Sequence, residues 1–251
     1  MQESIDDMQA MIFAAGLGTR LKPLTDTMPK ALVKVGGHAL LELVIRRLAA
    51  AGAGRMVVNV HHFAGQIMDF LHDNNYFGQD IAVSDESSLL LDTGGGLKKA
   101  QGLFSGNEPI LIHNVDILSN MDLRLFYEQG RQNDATLLVS QRQTARYLLF
   151  DEAMRLVGWT NVETGEVRSP YKDINPENCT KLAFAGIHAF SPRLFPLMND
   201  FPDKFGIMDF YLSVCHETTI KGVTADHLQL LDVGKTESLA TAEKFLEELG
   251  Y

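Results

Sequence analysis

Three cations crowd one short stretch of this chain: Arg20, Lys22 and Lys30. The stretch reads Ala14-Ala15-Gly16-Leu17-Gly18-Thr19-Arg20-Leu21-Lys22-Pro23-Leu24-Thr25-Asp26-Thr27-Met28-Pro29-Lys30. Gly16 and Gly18 carry no side chain, so backbone N–H groups there can approach an anion closely. Arginine forks onto two phosphate oxygens, and lysine acts as a mobile point charge. The whole chain carries a net charge of −10, from 22 basic and 32 acidic side chains. The cluster is therefore a local basic pocket on an acidic molecule. Spacing excludes two other phosphate loops. A dinucleotide-binding turn needs glycine or alanine where Leu21 stands, and a P-loop needs Gly-Lys followed by Ser or Thr.

Two carboxylates and a run of glycines add to this. Asp116, in Asn114-Val115-Asp116, and Asp232, in Leu231-Asp232-Val233-Gly234, each close an apolar run. Carboxylates at strand ends are hard ligands suited to Mg²⁺, which keeps waters and shares substrate phosphates; they also serve as helix caps or turn residues. Leu91-Asp92-Thr93-Gly94-Gly95-Gly96-Leu97 opens a helical pattern, where the glycines either admit a flat base or ribose or merely loosen the helix entry. His113, between Ile112 and Asn114, reads as a packed strand residue. The single tryptophan, Trp159, suits a sugar wall or a half-buried packing role equally. Asp209 at a helix start serves as a cap or a sugar contact.

The elements that must position these residues follow from hydrophobic periodicity. Continuous apolar runs predict buried strands at Met8–Ala15, Arg55–Val60, Ile81–Ser84, Pro109–Asn114 and Ala135–Ser140. Helical spacing falls between them, at Ala39–Ala51, Phe63–His72 and Gly94–Gly102. Alternation of this kind implies parallel strands with helices on both faces, and such sheets bind ligands at the carboxyl ends of their strands. The cationic loop directly follows the first strand. Beyond Ser140 the pattern loosens. Tyr147–Phe150, Met154–Val157 and Lys181–Phe190 read as strands, the polar stretch Asn161–Cys179 as a loop, and Asp209–His216 as a helix. A strand is expected within Val223–Asp232, and an amphipathic helix over Thr236–Leu249. The expectation is one α/β domain over residues 1–251, with a doubly wound, mostly parallel, Rossmann-like sheet and a small β-rich insertion.

The 251 residues, 45% apolar, suffice for one sizeable core. The acidic balance argues against nucleic-acid binding, which needs a basic footprint. Two cysteines, Cys179 and Cys215, make no disulfide framework and suit a reducing compartment. The acidic stretch 1–7 lacks the features of a secretory leader, and no apolar run reaches the ~20 residues of a membrane span. A cytoplasmic protein, monomeric or a small homo-oligomer, is expected.

The loop resembles the signature of sugar-1-phosphate nucleotidylyltransferases, Gly-x-Gly-Thr-Arg-Leu-x-Pro-Leu-Thr with Pro-Lys a few residues on. Similarity to the short bacterial members runs from Met8 to the C-terminal helix and is patchy between Arg142 and Lys181. Ala31 stands where the family usually has proline, and Val115 where it usually has glycine. The resemblance implies the nucleotide-diphospho-sugar transferase fold, with residues 8–140 as a nucleotide-binding half and 141–235 as a sugar-binding half. It implies transfer of a nucleoside monophosphate from a nucleoside triphosphate to a sugar 1-phosphate, with release of pyrophosphate. Arg20 and Lys30 become catalytic cations, and Asp116 and Asp232 ligands for Mg²⁺. Ala15, Gly16, Gly18, Thr19, Glu86, Gly94 and Asn114 fall on the nucleotide side, and Asn161 and Gly186 on the sugar side. The lysine that many members carry upstream of the sugar strand is missing from Gly158-Trp159-Thr160-Asn161. A Glu86 carboxylate accepts N–H from uracil or guanine, which leaves uridylyl and guanylyl transfer both open. Uridylyl transfer to an amino-sugar 1-phosphate is favored, ahead of guanylyl transfer to mannose or heptose 1-phosphate. A nucleotide-sugar sensor without turnover, and cytidylyl transfer to a non-sugar alcohol phosphate, are the rivals.

Overall fold

The structure, a computed structural model, describes residues 8–249. The acidic stretch 1–7 and the last two residues of the expected C-terminal segment lie outside the described residues. The central strand β1 (Gln9–Phe13) is buried along its whole length. After it come the two-residue strands β2 (Lys34–Val35) and β3 (His38–Ala39), then α1 (Leu40–Ala50), β4 (Arg55–Val60), α2 (Ala64–Asp73), β5 (Asp80–Asp85), α3 (Asp92–Ala100) and β6 (Ile110–Asn114). β1 pairs in parallel with β4 on one side and β6 on the other, and β4 pairs in parallel with β5. This is the doubly wound core expected from strand–helix alternation.

The strand residues divide between two faces. Ala10 and Ile12 pack on one side with Leu40, Val44 and Leu48 of α1 and Ile67 of α2. Met11 and Phe13 pack on the other with Leu97 and Ala100 of α3. Because both faces are covered, these strands read as continuous apolar runs rather than alternating ones. Each fully buried Leu or Ile contributes roughly 1.5–3 kcal/mol.

The second part continues through β7 (Ile117–Ser119), α4 (Leu123–Gly130), β8 (Ala135–Ser140), β9 (Arg146–Phe150), β10 (Leu156–Asn161), β11 (Glu166–Arg168), β12 (Thr180–Phe190), α5 (Ile207–Val214), β13 (Ile220–Val223), β14 (Leu230–Asp232) and α6 (Thr236–Leu249). The Asp122 side chain caps α4 by accepting from Leu125 N–H. β12 is long and antiparallel to β6, β8 and β9. Through it the β-rich segment joins the main sheet, in the order β11-β10-β9-β12-β6-β1-β4-β5. α5 closes the second face, with Phe210 and Tyr211 fully buried.

Several expected boundaries move. The strand expected at Met154–Val157 starts at Leu156 and runs to Asn161, because residues 151–154 form a turn: Asp151 Oδ1 accepts from Ala153 and Arg155 N–H. The expected loop Asn161–Cys179 contains β11, a short exposed strand antiparallel to β10. The strand expected inside Val223–Asp232 resolves into the end of β13 and the separate β14, which pairs with β7 as a two-stranded ribbon. Residues Pro192–Asp200 form 3₁₀ turns, capped by Ser191.

Candidate active site

Where β1 ends, Ala14 N–H donates to Asn59 Oδ1 at 2.8 Å, and the chain leaves the sheet. Gly18 then takes a left-handed conformation, φ 63°, and leads into a single 3₁₀ turn over Thr19–Leu21. Its position also demands glycine for space, since a Cβ would lie 2.9 Å from Thr25 Cγ2 and 3.0 Å from Lys30 Cβ. Leu21, Thr25 and Ala31 are buried and pin the loop from beneath. Of the three cations, Lys22 pairs with Asp26 at 2.9 Å in solvent. Arg20 and Lys30 line a cavity of about 600 Å³ at the carboxyl ends of β1, β4 and β6.

The acidic side of the cavity depends on the β7–β14 ribbon. Asp116 sits in the turn between β6 and β7, and its main-chain carbonyl accepts from Val233 N–H at 2.8 Å. The ribbon sets Asp232 opposite Ile117, one residue from Asp116. Thus two aspartates far apart in sequence become neighbors. Lys30 Nζ forms an ion pair with Asp116 Oδ2, and both side chains are largely buried. Asp232 Oδ1 is buried without a hydrogen-bond partner. A Cβ on Gly234 would lie 2.5 Å from that oxygen and 2.7 Å from Arg20 Nη2, which places cation and carboxylate around one small gap.

The donor set suits a hard divalent cation. A carboxylate oxygen with no partner, beside a second carboxylate, is costly to bury unless a cation joins it. Among the described residues no group of three or more His, Cys, Asp or Glu side chains gathers to enclose a metal alone. Two carboxylates would leave the rest of a hard divalent cation's shell to water and substrate oxygens.

The cavity collects Ala15, Gly16, Gly18, Thr19, Arg20, Lys30, Asn114 and Asp116 of the residues expected from sequence. It is not lined by Glu86, Gly94, Asn161, Gly186 or Asp232. Gly94 faces the protein instead. Its N–H and that of Gly95 both donate to the Phe205 carbonyl, at 2.9 and 3.1 Å. A Cβ on Gly94 would overlap the Phe205 ring, and one on Gly95 would run into the Asp203 carbonyl. The triplet is a docking surface for the segment that enters α5, not an open cradle. Glu86 is fully buried, with its oxygens accepting from Asn59 Nδ2 at 2.7 Å and Leu91 N–H at 3.2 Å. Burial raises its pKa, against the lowering effect of the Asn59 and Leu91 hydrogen bonds. Asn161 ties the β10–β11 turn by accepting from Glu163 and Thr164 N–H. Gly186 lies where the β12–β8 register shifts, backed against Ile117 and Asn114.

Sequence reasoning passed over several residues. Asn59 and Leu90 line the cavity, as do Asp92, Gly206 and Gly234. The signal for Asn59 was an amide inside the otherwise apolar run Arg55–Val60. Asp92 is left-handed at φ 57°, a conformation that strains a non-glycine residue and clusters at functional sites. His113 is packed, as expected. Burial, then the Arg47 charge, lowers its pKa to about 4. Trp159 carries the Arg168 guanidinium over its ring at 5.8 Å, and Arg168 in turn pairs with Asp209 at 2.6 Å, so Asp209 anchors β11 to α5.

The arrangement is a cavity with Arg20, Lys30 and Asp116 on the β6 side and Asn59, Leu90, Asp92 and Thr93 on the β4–β5 side, at the mouth of a doubly wound sheet. Residues 9–148 match the nucleotidyl transferase family, and the chain belongs to it. It is 46% identical over 253 residues to the N-acetylmuramate alpha-1-phosphate uridylyltransferase of Caulobacter vibrioides, covering 95% of this chain and 97% of that protein. It is also similar to the protein of that name from Neisseria meningitidis, 40% identical over 121 residues, 48% of this chain and 52% of that one. Among solved structures, HddC from Yersinia pseudotuberculosis complexed with GMP-PN shares the fold. Its TM-score is 0.74 at 21% identity, over 95% of this chain and 99% of that one. Among the described residues, no helix is long and apolar enough to cross a membrane.

Proposed function

We propose that this enzyme transfers a uridylyl group from UTP to an amino-sugar 1-phosphate, with N-acetylmuramic acid 1-phosphate as the leading acceptor, in the presence of Mg²⁺. The observation that carries the choice of base and sugar is the end-to-end likeness to the Caulobacter vibrioides uridylyltransferase. The cavity chemistry supports the reaction type. A sugar 1-phosphate oxygen attacks the α-phosphorus of the triphosphate, that P–O bond forms, and the bond to pyrophosphate breaks. The nucleophile is already an anion, so no general base is required. The barrier lies in bringing two polyanions together, which favors positioning and charge neutralization.

Arg20 is assigned to the β- and γ-phosphates, where its charge offsets the charge building on the leaving pyrophosphate. Lys30 is assigned to the α-phosphate and the incoming phosphate. Gly16, Gly18 and Thr19 admit the triphosphate against the main chain, with Asn114 on its β6 side and Ala15 beside the nucleoside. Asp116 and Asp232 would hold the Mg²⁺, which supplies Lewis-acid polarization of substrate phosphate oxygens when bound. Gly186, behind Asn114, shapes the acceptor side. Asn161 keeps that side in place through the β10–β11 turn.

The test offers the purified protein four nucleoside triphosphates against a panel of sugar 1-phosphates with Mg²⁺, and measures pyrophosphate release. The expected result is fastest turnover with UTP and an amino-sugar 1-phosphate. Preference for GTP with mannose or heptose 1-phosphate would replace the substrate assignment. Tight binding of a nucleotide sugar with no release from any pair would make the protein a sensor and sink the proposal.

A further inference from the structure

Glu86 sits outside the cavity, yet it is bonded to two of the cavity's walls. The sheet order places β4 and β5 on one side of β1, and β6 with its aspartates on the other. Both lining cations meet the aspartates of the β6 side, Lys30 at Asp116 and Arg20 near Asp232, so the phosphates fall there too. The β4–β5 side, with Asn59, Leu90, Asp92 and Thr93, brings no cation to the cavity and is left for the nucleoside. Glu86 follows β5 directly and is fully buried beneath that side.

Its bonds form a chain. Glu86 Oε1 accepts from Asn59 Nδ2 at 2.7 Å, and Asn59 Oδ1 accepts from Ala14 N–H at 2.8 Å. Glu86 Oε2 accepts from Leu91 N–H at 3.2 Å. The main chain of Glu86 is held as well, by N–H donation to Val60 O at 2.7 Å and by His61 Nδ1 on its carbonyl at 2.7 Å. Gly96 of α3 leaves the room, since a Cβ there would lie 2.6 Å from Glu86 Oε1 and 2.9 Å from Asn59 Nδ2. A carboxylate is acceptor-only and Asn59 must turn its donor toward it, so the amide is fixed with its oxygen toward Ala14. One buried group thus sets both the start of the glycine loop and the Leu90–Thr93 wall.

We infer that Glu86 is a positioning residue, acting through Asn59 and Leu91 to set the slot that receives the nucleobase, without itself touching the base. This rests on the proposed nucleotidyl transfer. Glutamine at this position keeps the shape but turns an N–H₂ toward either Asn59 Nδ2 or Leu91 N–H, donor against donor. The slot loosens while the phosphate-binding side keeps its groups.

The experiment is steady-state kinetics on the full chain with Mg²⁺, comparing wild type, Glu86→Gln, Asn59→Ala and the double variant. Glu86→Gln should raise the KM for the preferred nucleoside triphosphate about tenfold, while kcat and the KM for sugar phosphate stay within about threefold. Selectivity among the four triphosphates should fall with it. Because part of the Glu86 effect runs through Asn59, the two substitutions should be less than additive, with the Leu91 bond leaving the double variant moderately worse than Asn59→Ala alone. An unchanged KM in folded Glu86→Gln, a loss confined to kcat, or full additivity would overturn the inference. Should Glu86→Gln fail to fold, Gly96→Ala presses on the same carboxylate and must raise the same KM; no rise there overturns it too. Failure of the parent reading shows separately, as wild type releasing no pyrophosphate with any substrate pair.

Discussion

Replacing Gly94 by alanine separates two accounts of the glycine triplet. On helix propensity alone, alanine inside α3 should stabilize by up to about 1 kcal/mol. The contacts predict the opposite sign. The new methyl would overlap the Phe205 ring and lie 2.9 Å from the Phe205 carbonyl oxygen. Overpacking of this kind costs about 1–3 kcal/mol. Pushing Phe205 away also weakens the bonds from Gly94 and Gly95 N–H, at about 1 kcal/mol each. The balance is a loss of about 2–4 kcal/mol, and at about 2–4 °C per kcal/mol for a chain of this size the melting temperature falls by about 4–16 °C. Gly16→Ala is the control, because a Cβ there meets nothing within 4 Å. Its melting temperature should stay within about 1 °C of wild type, as for a substitution that touches nothing, while its KM for nucleoside triphosphate rises because Gly16 lines the cavity. Thermal denaturation of both variants decides the matter. A Gly94→Ala protein as stable as wild type would refute the docking role.

Arg20→Ala should lower kcat on the order of 10²–10³-fold with its fold intact, as for removal of one preorganized electrostatic contact; near-normal turnover would remove Arg20 from the mechanism. Asp232→Asn takes the charge from a carboxylate with an unpartnered oxygen. It should raise the melting temperature of the metal-free protein and at the same time raise the Mg²⁺ concentration needed for half-maximal pyrophosphate release; a drop in metal-free stability would contradict the assignment. Burial holds His113 and His188 neutral, lowering their pKa values to about 4 and about 3. Below pH 6.5 the unfolded chain takes up protons that the folded one refuses, so stability is lost as pH falls from 6.5 toward 4 and 3. At pH 5 each histidine costs about 2 kcal/mol. His188→Gln, designed to keep a bond to the Tyr211 hydroxyl, should remove about 2 kcal/mol of the loss between pH 7 and pH 5 in denaturant titrations, and an unchanged loss would refute it.

The parallel core was legible because its strands are buried on both faces, which leaves plain apolar runs such as Gln9–Phe13 and Arg55–Val60. The loop was legible because its glycines and cations are consecutive in sequence. Short pieces were not. β2, β3, β7 and β11 span only two or three residues each, too few for any periodicity. The meeting of Asp116 with Asp232 depends on the β7–β14 ribbon, and nothing local announces that pairing. The glycine triplet looked like a cradle because its neighbor, Phe205, lies far along the chain. Glu86 looked available to a ligand because its exposure depends on Asn59 and Leu91 rather than on its own surroundings in sequence.

The pairing of β12 with β6 has a mechanical consequence. Ile187 stands against His113 and Phe190 against Ile110, so β12, the proposed acceptor side, is bonded to the strand that delivers Asn114 and leads into Asp116. A continuous sheet of this kind offers no hinge between β6 and β12. On the proposed reaction, opening for product escape is expected in the surface segments at the cavity mouth, chiefly the stretch 14–30 and the stretch 203–206 that docks on α3. Amide exchange should then slow on ligand binding in those segments while the β6–β12 ladder stays equally protected throughout. On the proposed reaction, a ladder that stays protected throughout would act as a fixed anvil, with the spacing between the two phosphates set when the chain folds.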